Sequence, residues 1–295
     1  MKASQQFIAS LAEQVSMPEV YHQVRGLITD ADAEIERFVR IIETDSVLAR
    51  RLLRIANSAY FGFPGRANNL TQAIRLFGLI QLHDLVLTCL SLRTFATIPQ
   101  QIFNLEAFWR YSVENGIAAR TLAQYSQIMP MNPFFTMGLL HEVGHAAIYV
   151  KEPELAAQAF AQAQQANRPL VEVERELLGF DYTQVGTELM QLWQMPPVYH
   201  QVTACHLDIE QADEALHQTL AIVNLAHRFC QHPEPADWQQ LLASTAQKDL
   251  RLNRLPSNID KIIENEINSN ADAVLAMLWP NCTNLAASAG GQSDE

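Results

Sequence analysis

The apolar residues of this chain are spaced as in α-helices almost from end to end. Leu48, Leu52, Ile55 and Ala59 recur at intervals of three and four residues, as the buried face of a helix does. Runs in which β-branched and polar residues alternate, the pattern of a half-buried strand, are missing from the sequence. The sequence therefore predicts an all-α fold.

Capping and breaking residues predict several helix ends. Asp30, Asn104 and Asn132 each stand before a helical run, and Pro133 follows at the first helical position of the third run. Four prolines are predicted to end helices, namely Pro99, Pro130, Pro153 and Pro280.

Three arginines fall opposite the apolar face of the helix that contains Leu52. Arg50, Arg51 and Arg54 are at positions that a 3.6-residue period turns away from the core. This pattern predicts a basic face in contact with solvent.

Breaks in the helical pattern suggest the domain organisation. We predict five segments: an N-terminal helix over 1–16, a helical subdomain over 17–98, a second helical subdomain over 104–230, a C-terminal helical extension over 231–280 and a disordered tail over 281–295. The tail prediction depends on its lack of large apolar residues.

Charge and cysteine usage narrow the function classes. Lys and Arg total 20 against 32 Asp and Glu, a formal net charge of -12, which opposes binding to nucleic acid or to an anionic membrane. We find no signal peptide and no run of about 18 apolar residues. The four cysteines lack Cys-x-x-Cys spacing, so we expect a reducing, cytoplasmic location.

Residues 141–145 read His-Glu-Val-Gly-His, which matches the H-E-x-x-H pattern of zinc proteases. On a helix, His141 and His145 would project from one face, with Glu142 between them as a general base. A protease also needs a third ligand and a strand that aligns the peptide substrate. The glutamates of the run 171–176, Glu174 included, are expected on an exposed helical face, and no strand is predicted. We therefore interpret both histidines as buried or half-buried polar residues.

Other catalytic patterns are weak. Cys205 and His206 are adjacent and have the chemistry of a nucleophile and a base, but the sequence contains no oxyanion-hole motif such as G-x-S-x-G. We expect Cys205 to be a core residue. A Walker lysine loop and a glycine-rich dinucleotide turn are likewise missing.

Several motifs in register resemble one known family. They are Leu52–Tyr60 (LLRIANSAY), Leu70–Gly78 (LTQAIRLFG), Phe108–Ser112 (FWRYS), Gly138–Gly144 (GLLHEVG), Gly179–Tyr182 (GFDY), Val185–Gly186 and Leu192–Pro196 (LWQMP). In this order and spacing, over about residues 17–230, the chain resembles the HD-related output domain (HDOD) family.

The resemblance implies a multi-helical HD-like domain preceded by an N-terminal helical bundle. It implies a regulatory domain of bacterial signalling, descended from metal-dependent HD phosphohydrolases but generally without their metal centre. In catalytic relatives a histidine would be expected near Tyr111, a His-Asp pair at His141 and Glu142, a further histidine near Tyr182 or His206, and an aspartate near Asn224.

Most of those ligands are missing here, because tyrosine and asparagine side chains stand at three of the expected positions. We predict no catalytic residue and no cofactor. Adventitious zinc or nickel binding would not be surprising, and the ligands, if any, would be His141, Glu142 and His145. The predicted degenerate pocket comprises Tyr111, His141, Glu142, His145, Tyr182, His206 and Asn224.

The predicted function is a cytoplasmic signal-transduction module without turnover. We expect a signalling protein as partner, and a small ligand as a second candidate partner, but neither nucleic acid nor a membrane; a homodimer stays open. The pocket would act as a ligand site or as a hinge between the two helical blocks. One alternative is a metal-dependent phosphohydrolase, with nucleotides as candidate substrates, that uses His141, Glu142, His145 and His206. Another is a scaffold that works as a dimer or adaptor and has no pocket.

Overall fold

The structure is a computed structural model that describes residues 3–30, 32–63, 65–96, 104–231, 238, 241, 242, 245 and 252–279. These residues are 78% helical and contain no strand. The predicted all-α fold is therefore confirmed. The predicted tail over 281–295 and the predicted helix ends at Pro99 and Pro280 lie outside the described residues.

Fifteen α-helices are present in the described part of the chain. They are α1 (Ala3–Ala9), α2 (Ala12–Val15), α3 (Glu19–Ile28), α4 (Ile35–Glu43), α5 (Ser46–Ala56), α6 (Leu70–Thr94), α7 (Leu105–Tyr125), α8 (Asn132–Leu140), α9 (Val143–Lys151), α10 (Pro153–Ala166), α11 (Leu170–Leu178), α12 (Tyr182–Leu192), α13 (Pro197–Cys205), α14 (His217–Gln231) and α15 (Ile259–Leu278). Three short 3₁₀ helices, Ile209–Gln211, Glu214–Leu216 and Leu252–Arg254, lie between the later helices.

These helices form two compact units. Of the described residues, unit 1 contains those up to Ser16 and those within Thr94–Ile267, and unit 2 contains those within Met17–Arg93 and from Asn268 to Trp279. The N-terminal helices α1 and α2 thus belong with the later part of the chain. Helix α15 contributes residues to both units.

Unit 1 is built on closely packed helices. Helices α8 and α14 pack on α7, while α9 and α13 pack on α12. A side chain on Gly144 of α9 would place its Cβ 1.9 Å from the carbonyl oxygen of Tyr182 in α12, and one on Gly138 of α8 would lie 2.6 Å from the carbonyl oxygen of Asn115 in α7. Only glycine permits helices to approach this closely. These crossings bring the chain around residue 141 against α12.

Unit 2 contains α3, α4, α5 and α6, with a core of aromatic and branched residues such as Phe38, Ile42 and Leu52. The prediction that the arginines of α5 face solvent is wrong for Arg51. This residue is buried and donates from Nη1 to the carbonyl oxygen of Cys89 at 3.1 Å. The long aliphatic stem of arginine can cross an apolar core if its guanidinium finds an acceptor.

The helix starts agree with capping rules in part. Asn104 accepts a hydrogen bond from the N–H of Ala107 and caps α7, so that prediction is confirmed. The prediction that Asn132 caps a helix is wrong: α8 begins at Asn132 itself, with Met131 at the cap position and Pro133 in its first turn. Asp30 is not a cap, because α4 begins only at Ile35; its carboxylate accepts the N–H of Asp32 and pairs with Arg37 instead.

Two of the predicted helix ends can be compared with the described residues. The helix before Pro130 has already ended at Tyr125. Helix α9 ends at Lys151, and Pro153 then opens α10, where its missing N–H leaves no helical bond unmade.

Helix α6 is long and apolar enough, by length and composition, to cross a membrane. Its 25 residues contain a window with a mean hydropathy of 1.5, and 67% of that window is buried within the protein. A core helix has the same properties. At Gly78, with φ 69° and ψ 165°, the helical backbone is interrupted.

Candidate functional site

The His-Glu-x-x-His run does not lie on one helix. Helix α8 ends at Leu140, His141 is its C-cap, and Glu142, with φ −105° and ψ 14°, precedes α9. The expectation that His141 and His145 project from one helical face is therefore wrong, because the chain turns between them. Each histidine belongs to a different group of buried side chains.

His141 meets two histidines from other helices. His206 follows α13 and His227 lies in α14, and the three rings have centroid separations of 4.8, 5.1 and 5.2 Å. All three residues are at most 1% exposed. We call this group the histidine trio.

Hydrogen bonds determine which nitrogen of each ring carries the proton. The Nδ1 of His141 lies 2.7 Å from the carbonyl oxygen of Gly138, and the Nδ1 of His206 lies 3.0 Å from that of Thr203. A carbonyl only accepts, so in both rings Nδ1 donates and Nε2 keeps its lone pair. At 3.1 Å, the Nδ1 of His227 is then placed to donate to the Nε2 of His141.

The trio is neutral at physiological pH. Burial lowers the pKa of His206 to about 4, and it lowers the pKa values of His141 and His227 well below the usual value. For the last two, neighbouring imidazoles lower the pKa further. Neutral imidazoles can act as hydrogen-bond acceptors and as metal ligands.

His145 belongs to a second group, with Glu174 and Tyr182. Its ring stacks on Tyr182 at a centroid distance of 3.9 Å, and its Nδ1 lies 3.3 Å from Oε1 of Glu174. The other oxygen of Glu174 accepts the N–H of Tyr182 at 2.9 Å. The expected exposure of Glu174 is wrong: its residue is only 2% exposed, because the first turn of α12 and His145 both require a buried acceptor.

The charges in this second group depend on one another. Burial lowers the pKa of His145, but the hydrogen bond and charge of Glu174 outweigh burial and raise it. Burial raises the pKa of Glu142 to about 7; His145 opposes this rise, and Glu174 adds to it. Glu142 therefore changes its charge near neutral pH.

Tyr182 connects the two groups, because its hydroxyl lies 3.0 Å from the Nε2 of His206 and donates to it. Burial raises the pKa of Tyr182 well above the usual value, so the phenol stays protonated. Asn224 donates from Nδ2 to the carbonyl oxygen of His206 at 2.6 Å and ties the end of α13 to α14. Among the described residues, the buried hydroxyl of Tyr111 has no hydrogen-bond partner.

Two adjoining hollows in unit 1 reach these residues. The larger has a volume of about 700 Å³ and is lined by Asn104, Ala107, Phe108, Tyr111, Glu142, His145, Tyr149, Ala156, Phe160, Leu170, Glu174, Cys230 and Gln231. The second, of about 480 Å³, also reaches Glu142 and His145, and in addition Tyr182, Leu207 and His227. We call the two together the cleft. Phe160, which is 49% exposed, lines both hollows.

The structure thus places all seven predicted pocket residues in unit 1 and brings them together around the cleft and the trio. Sequence reasoning missed His227 and the burial of Glu174. One signal for His227 was available, since it follows Asn224 by three residues and so lies on the same face of α14. Nothing in the sequence indicated that Glu174 would be the buried partner of His145.

Of the residues that could hold a metal, the histidine trio has the best geometry. One ligand atom from each ring lies within 4.8 Å of the other two. This differs from the predicted ligands His141, Glu142 and His145, of which only His141 belongs to the group. Glu142 is next to the trio, with Oε1 3.5 Å from Nδ1 of His227.

The family model of the HDOD domain matches residues 15–209. An uncharacterized protein of Treponema pallidum (strain Nichols) is 23% identical over 235 residues, which are 77% of this chain. The match covers 45% of that relative, so this chain spans less than half of the relative's length.

Solved structures share the fold. An HDOD domain protein of unknown function from Geobacter sulfurreducens superposes with a TM-score of 0.69 at 20% identity, over 93% of this chain and 98% of that one. A protein of Shewanella amazonensis SB2B described as a "putative phosphohydrolase" gives 0.67 at 21% identity, over 89% and 97%. A "putative signal transduction protein" of Marinobacter aquaeolei VT8 gives 0.62 at 17% identity, over 94% and 65%. With the family model matching more than half of its residues, this chain belongs to the HDOD family.

Proposed function

We propose that this protein is a cytoplasmic signal-transduction module that binds a small ligand in the cleft and communicates with a signalling protein, without turnover. The observation that carries the proposal is the cleft itself. Its larger hollow, about 700 Å³, is within the size range of small-molecule sites.

The lining of the cleft has the chemistry of a recognition site. Phe108, Phe160 and Leu170 contribute apolar side chains to the lining, while Tyr111 and Glu142 contribute polar groups. The Tyr111 hydroxyl is buried at the cleft and can donate a hydrogen bond to a ligand or accept one from it. A ligand with an apolar body and a polar group that meets Tyr111 and Glu142 fits this lining.

Binding without turnover is favoured by the side chains at the positions where catalytic relatives would carry ligands. Tyr111 and Tyr182 are neutral phenols, and Asn224 is an amide already bonded to the carbonyl oxygen of His206. None of these three groups holds a hard divalent cation strongly.

Ligand binding can be tested on the full chain. A panel of nucleotides and small metabolites is screened by thermal shift, and hits are measured by isothermal titration calorimetry. We expect a hit whose affinity falls about tenfold in Tyr111→Phe and in Glu142→Gln, because each change removes one polar contact worth about 1–1.5 kcal/mol. Glu154→Gln, the same change of type at an exposed residue of α10 outside the lining, serves as the matched control.

Two results would contradict the proposal. One is a panel without a hit, which would favour the scaffold that has no ligand pocket. The other is a hit whose affinity is equal in wild type, Tyr111→Phe and Glu142→Gln, since binding would then occur outside the cleft.

A second candidate, a metal-dependent phosphohydrolase, is favoured by the histidine trio beside Glu142. The screen is hydrolysis of phosphomonoesters and phosphodiesters with Mn²⁺, Mg²⁺ or Ni²⁺. Metal-dependent turnover that His141→Ala abolishes would establish this candidate in place of the first. Activity that survives in His141→Ala would point to a contaminating enzyme.

A further inference from the structure

We propose that His141, His206 and His227 form a mononuclear site for a borderline transition metal of the zinc type. This inference stands independently of ligand binding in the cleft. From the sequence we expected no cofactor, because carboxylate ligands of the catalytic relatives are missing. That expectation did not take His227 into account.

The first argument is the anchoring of the rings. His141 and His206 each donate Nδ1–H to a backbone carbonyl, at 2.7 Å to Gly138 and at 3.0 Å to Thr203. Metal-binding histidines commonly make this second hydrogen bond, which fixes the tautomer and aims the other nitrogen at the metal. Here it leaves both Nε2 atoms with a lone pair: that of His141 faces Nδ1 of His227, and that of His206 accepts from the Tyr182 hydroxyl.

The second argument is distance. The Nε2 of His141 and the Nδ1 of His227 are 3.1 Å apart, and the three ligand atoms lie within 4.8 Å of one another. Two nitrogens bound to one tetrahedral Zn²⁺ at about 2.0–2.1 Å are separated by about 3.3 Å. The His141–His227 pair already has about this separation, and the atoms that are farthest apart would approach by at most about 1.5 Å.

Metal binding would rearrange two hydrogen bonds. The Tyr182 hydroxyl now donates to Nε2 of His206, and Nδ1 of His227 donates to Nε2 of His141. Coordination replaces both bonds: the Tyr182 hydroxyl turns to another acceptor, and His227 ligates through Nδ1 while its proton moves to Nε2. Three neutral imidazoles bind the cation in this way without net release of protons.

The third argument is the donor set. Three imidazoles favour Zn²⁺, Co²⁺, Ni²⁺ or Cu²⁺, whereas Mg²⁺ and Mn²⁺ prefer oxygen ligands. Glu142, 3.5 Å from Nδ1 of His227, is placed to supply a fourth ligand or to hold a bound water. The site would therefore prefer Zn²⁺ and similar ions to Mg²⁺ and Mn²⁺, which bind better to sites rich in carboxylates.

Burial separates this trio from chance binding at a surface. His141, His206 and His227 come from three separate segments of unit 1 and are 1%, 0% and 1% exposed. His227 also lines the smaller hollow of the cleft, which provides an entry path.

The test uses the full untagged chain, treated with a chelator and then titrated with Zn²⁺ and with Co²⁺. Calorimetry should give about one equivalent of each per chain, and Co²⁺ should develop the intense visible absorption of a tetrahedral complex. Mg²⁺ should not compete. His206→Gln and His227→Gln should each weaken Co²⁺ binding by more than about 100-fold.

Two further variants test whether the metal binds at the histidine trio or at the H-E-x-x-H run. His217→Gln, in which the lost side chain lies outside the trio, should bind Co²⁺ as wild type does. His145→Gln removes the second histidine of the H-E-x-x-H run but leaves the trio intact. If Co²⁺ binding is lost in His145→Gln and kept in His227→Gln, the proposal is overturned in favour of that run.

Variants that fail to fold would not leave the question open. X-ray absorption at the zinc edge of the wild-type protein counts imidazole ligands directly, and three should be found. Fewer than three imidazoles, or several weakly bound equivalents in the titration, would overturn the proposal and mean adventitious binding. Ligand binding in the cleft is measured on chelator-treated protein, so its failure and the failure of the metal site are distinguishable.

Discussion

The buried polar groups of the two units differ in their surroundings. In unit 2, Arg51 donates to the carbonyl of Cys89 and the Tyr21 hydroxyl lies 3.5 Å from Nε2 of His83, so these groups join α3, α5 and α6. In unit 1, Glu142 and His145 line an open hollow as well as contacting other helices. Burial of histidines and acids is common to both units. The open volume beside them is what marks a candidate site.

The two sets also differ in how they titrate. Burial raises the pKa of Tyr21 to about 12 and that of Cys89 to about 12, so both stay protonated at neutral pH. Glu142, with its pKa raised by burial to about 7, changes charge in the physiological range. Glu142 can therefore respond to a ligand or to pH, whereas Tyr21 and Cys89 keep one protonation state.

Of the variants that compare the two units, Gly144→Ala in unit 1 is expected to lower the free energy of unfolding most. The new Cβ would lie 1.9 Å from the carbonyl oxygen of Tyr182 and 2.7 Å from the backbone nitrogen of Gly186, so α9 and α12 must move apart. Since backbone atoms cannot yield as a flexible side chain does, we expect a loss of about 4 kcal/mol or more in the free energy of unfolding. Urea denaturation measures it.

The matched control is Gly26→Ala in α3 of unit 2, where nothing lies within 4 Å of the new Cβ. Alanine is the better helix former, so stability should rise by about 0.5–1 kcal/mol. Equal losses in the two variants would contradict the close packing of α9 on α12.

The second largest loss of stability is expected when Glu174 in unit 1 is replaced. Glu174→Ala removes the acceptor of the Tyr182 N–H and the partner of His145. Breaking a buried pair costs about 3–5 kcal/mol, and since His145 can lose its proton we expect about 3 kcal/mol. Glu172→Ala, at a carboxylate with 51% of its side chain exposed, should cost less than about 0.5 kcal/mol. Thermal denaturation compares the two, and similar losses would argue against a buried role for Glu174.

Much of the fold follows from the sequence, because apolar spacing and caps are local. The helix start at Asn104 depends only on a side chain that reaches the N–H three residues on. Asp30 has the same capping chemistry, yet it pairs with Arg37 and forms a turn. Arg51 was expected to face solvent, because the helical period places it away from the core. Its actual acceptor, the carbonyl oxygen of Cys89, is 38 residues away in the chain. Such distant partners are invisible to a local pattern.

The site was predictable to the extent that family motifs carry its residues. His141 and Glu142 stand in such a motif, whereas His227 lies outside all of the quoted motifs. The burial of Glu174 depends on α12 and His145 packing against α11, and a run of alternating Val and Glu gives no sign of it. Side chains that converge from separate helices can be identified only once the packing is known.

The smallest effect is expected in unit 2, at the cap of α5. Asp45 accepts the N–H groups of Val47 and Leu48 and pairs with Arg93. Asp45→Ala should cost about 1 kcal/mol through loss of the cap. Asp45→Asn keeps a good cap and removes only the charge, so it should cost less than about 1 kcal/mol at pH 6.

The pH dependence separates the charge of Asp45 from its capping role. Burial would raise the pKa of Asp45, but hydrogen bonds from the backbone and Arg93 outweigh it and lower the pKa below 3.8. A carboxyl with a lowered folded-state pKa stabilises the fold above its unfolded-state pKa, and this contribution is lost as pH falls through the folded-state value. The gap between wild type and Asp45→Asn in urea unfolding should therefore narrow from pH 5 toward pH 3. A gap that stays constant would mean that the charge of Asp45 contributes nothing, and that unit 2 gains from Asp45 only its hydrogen bonds.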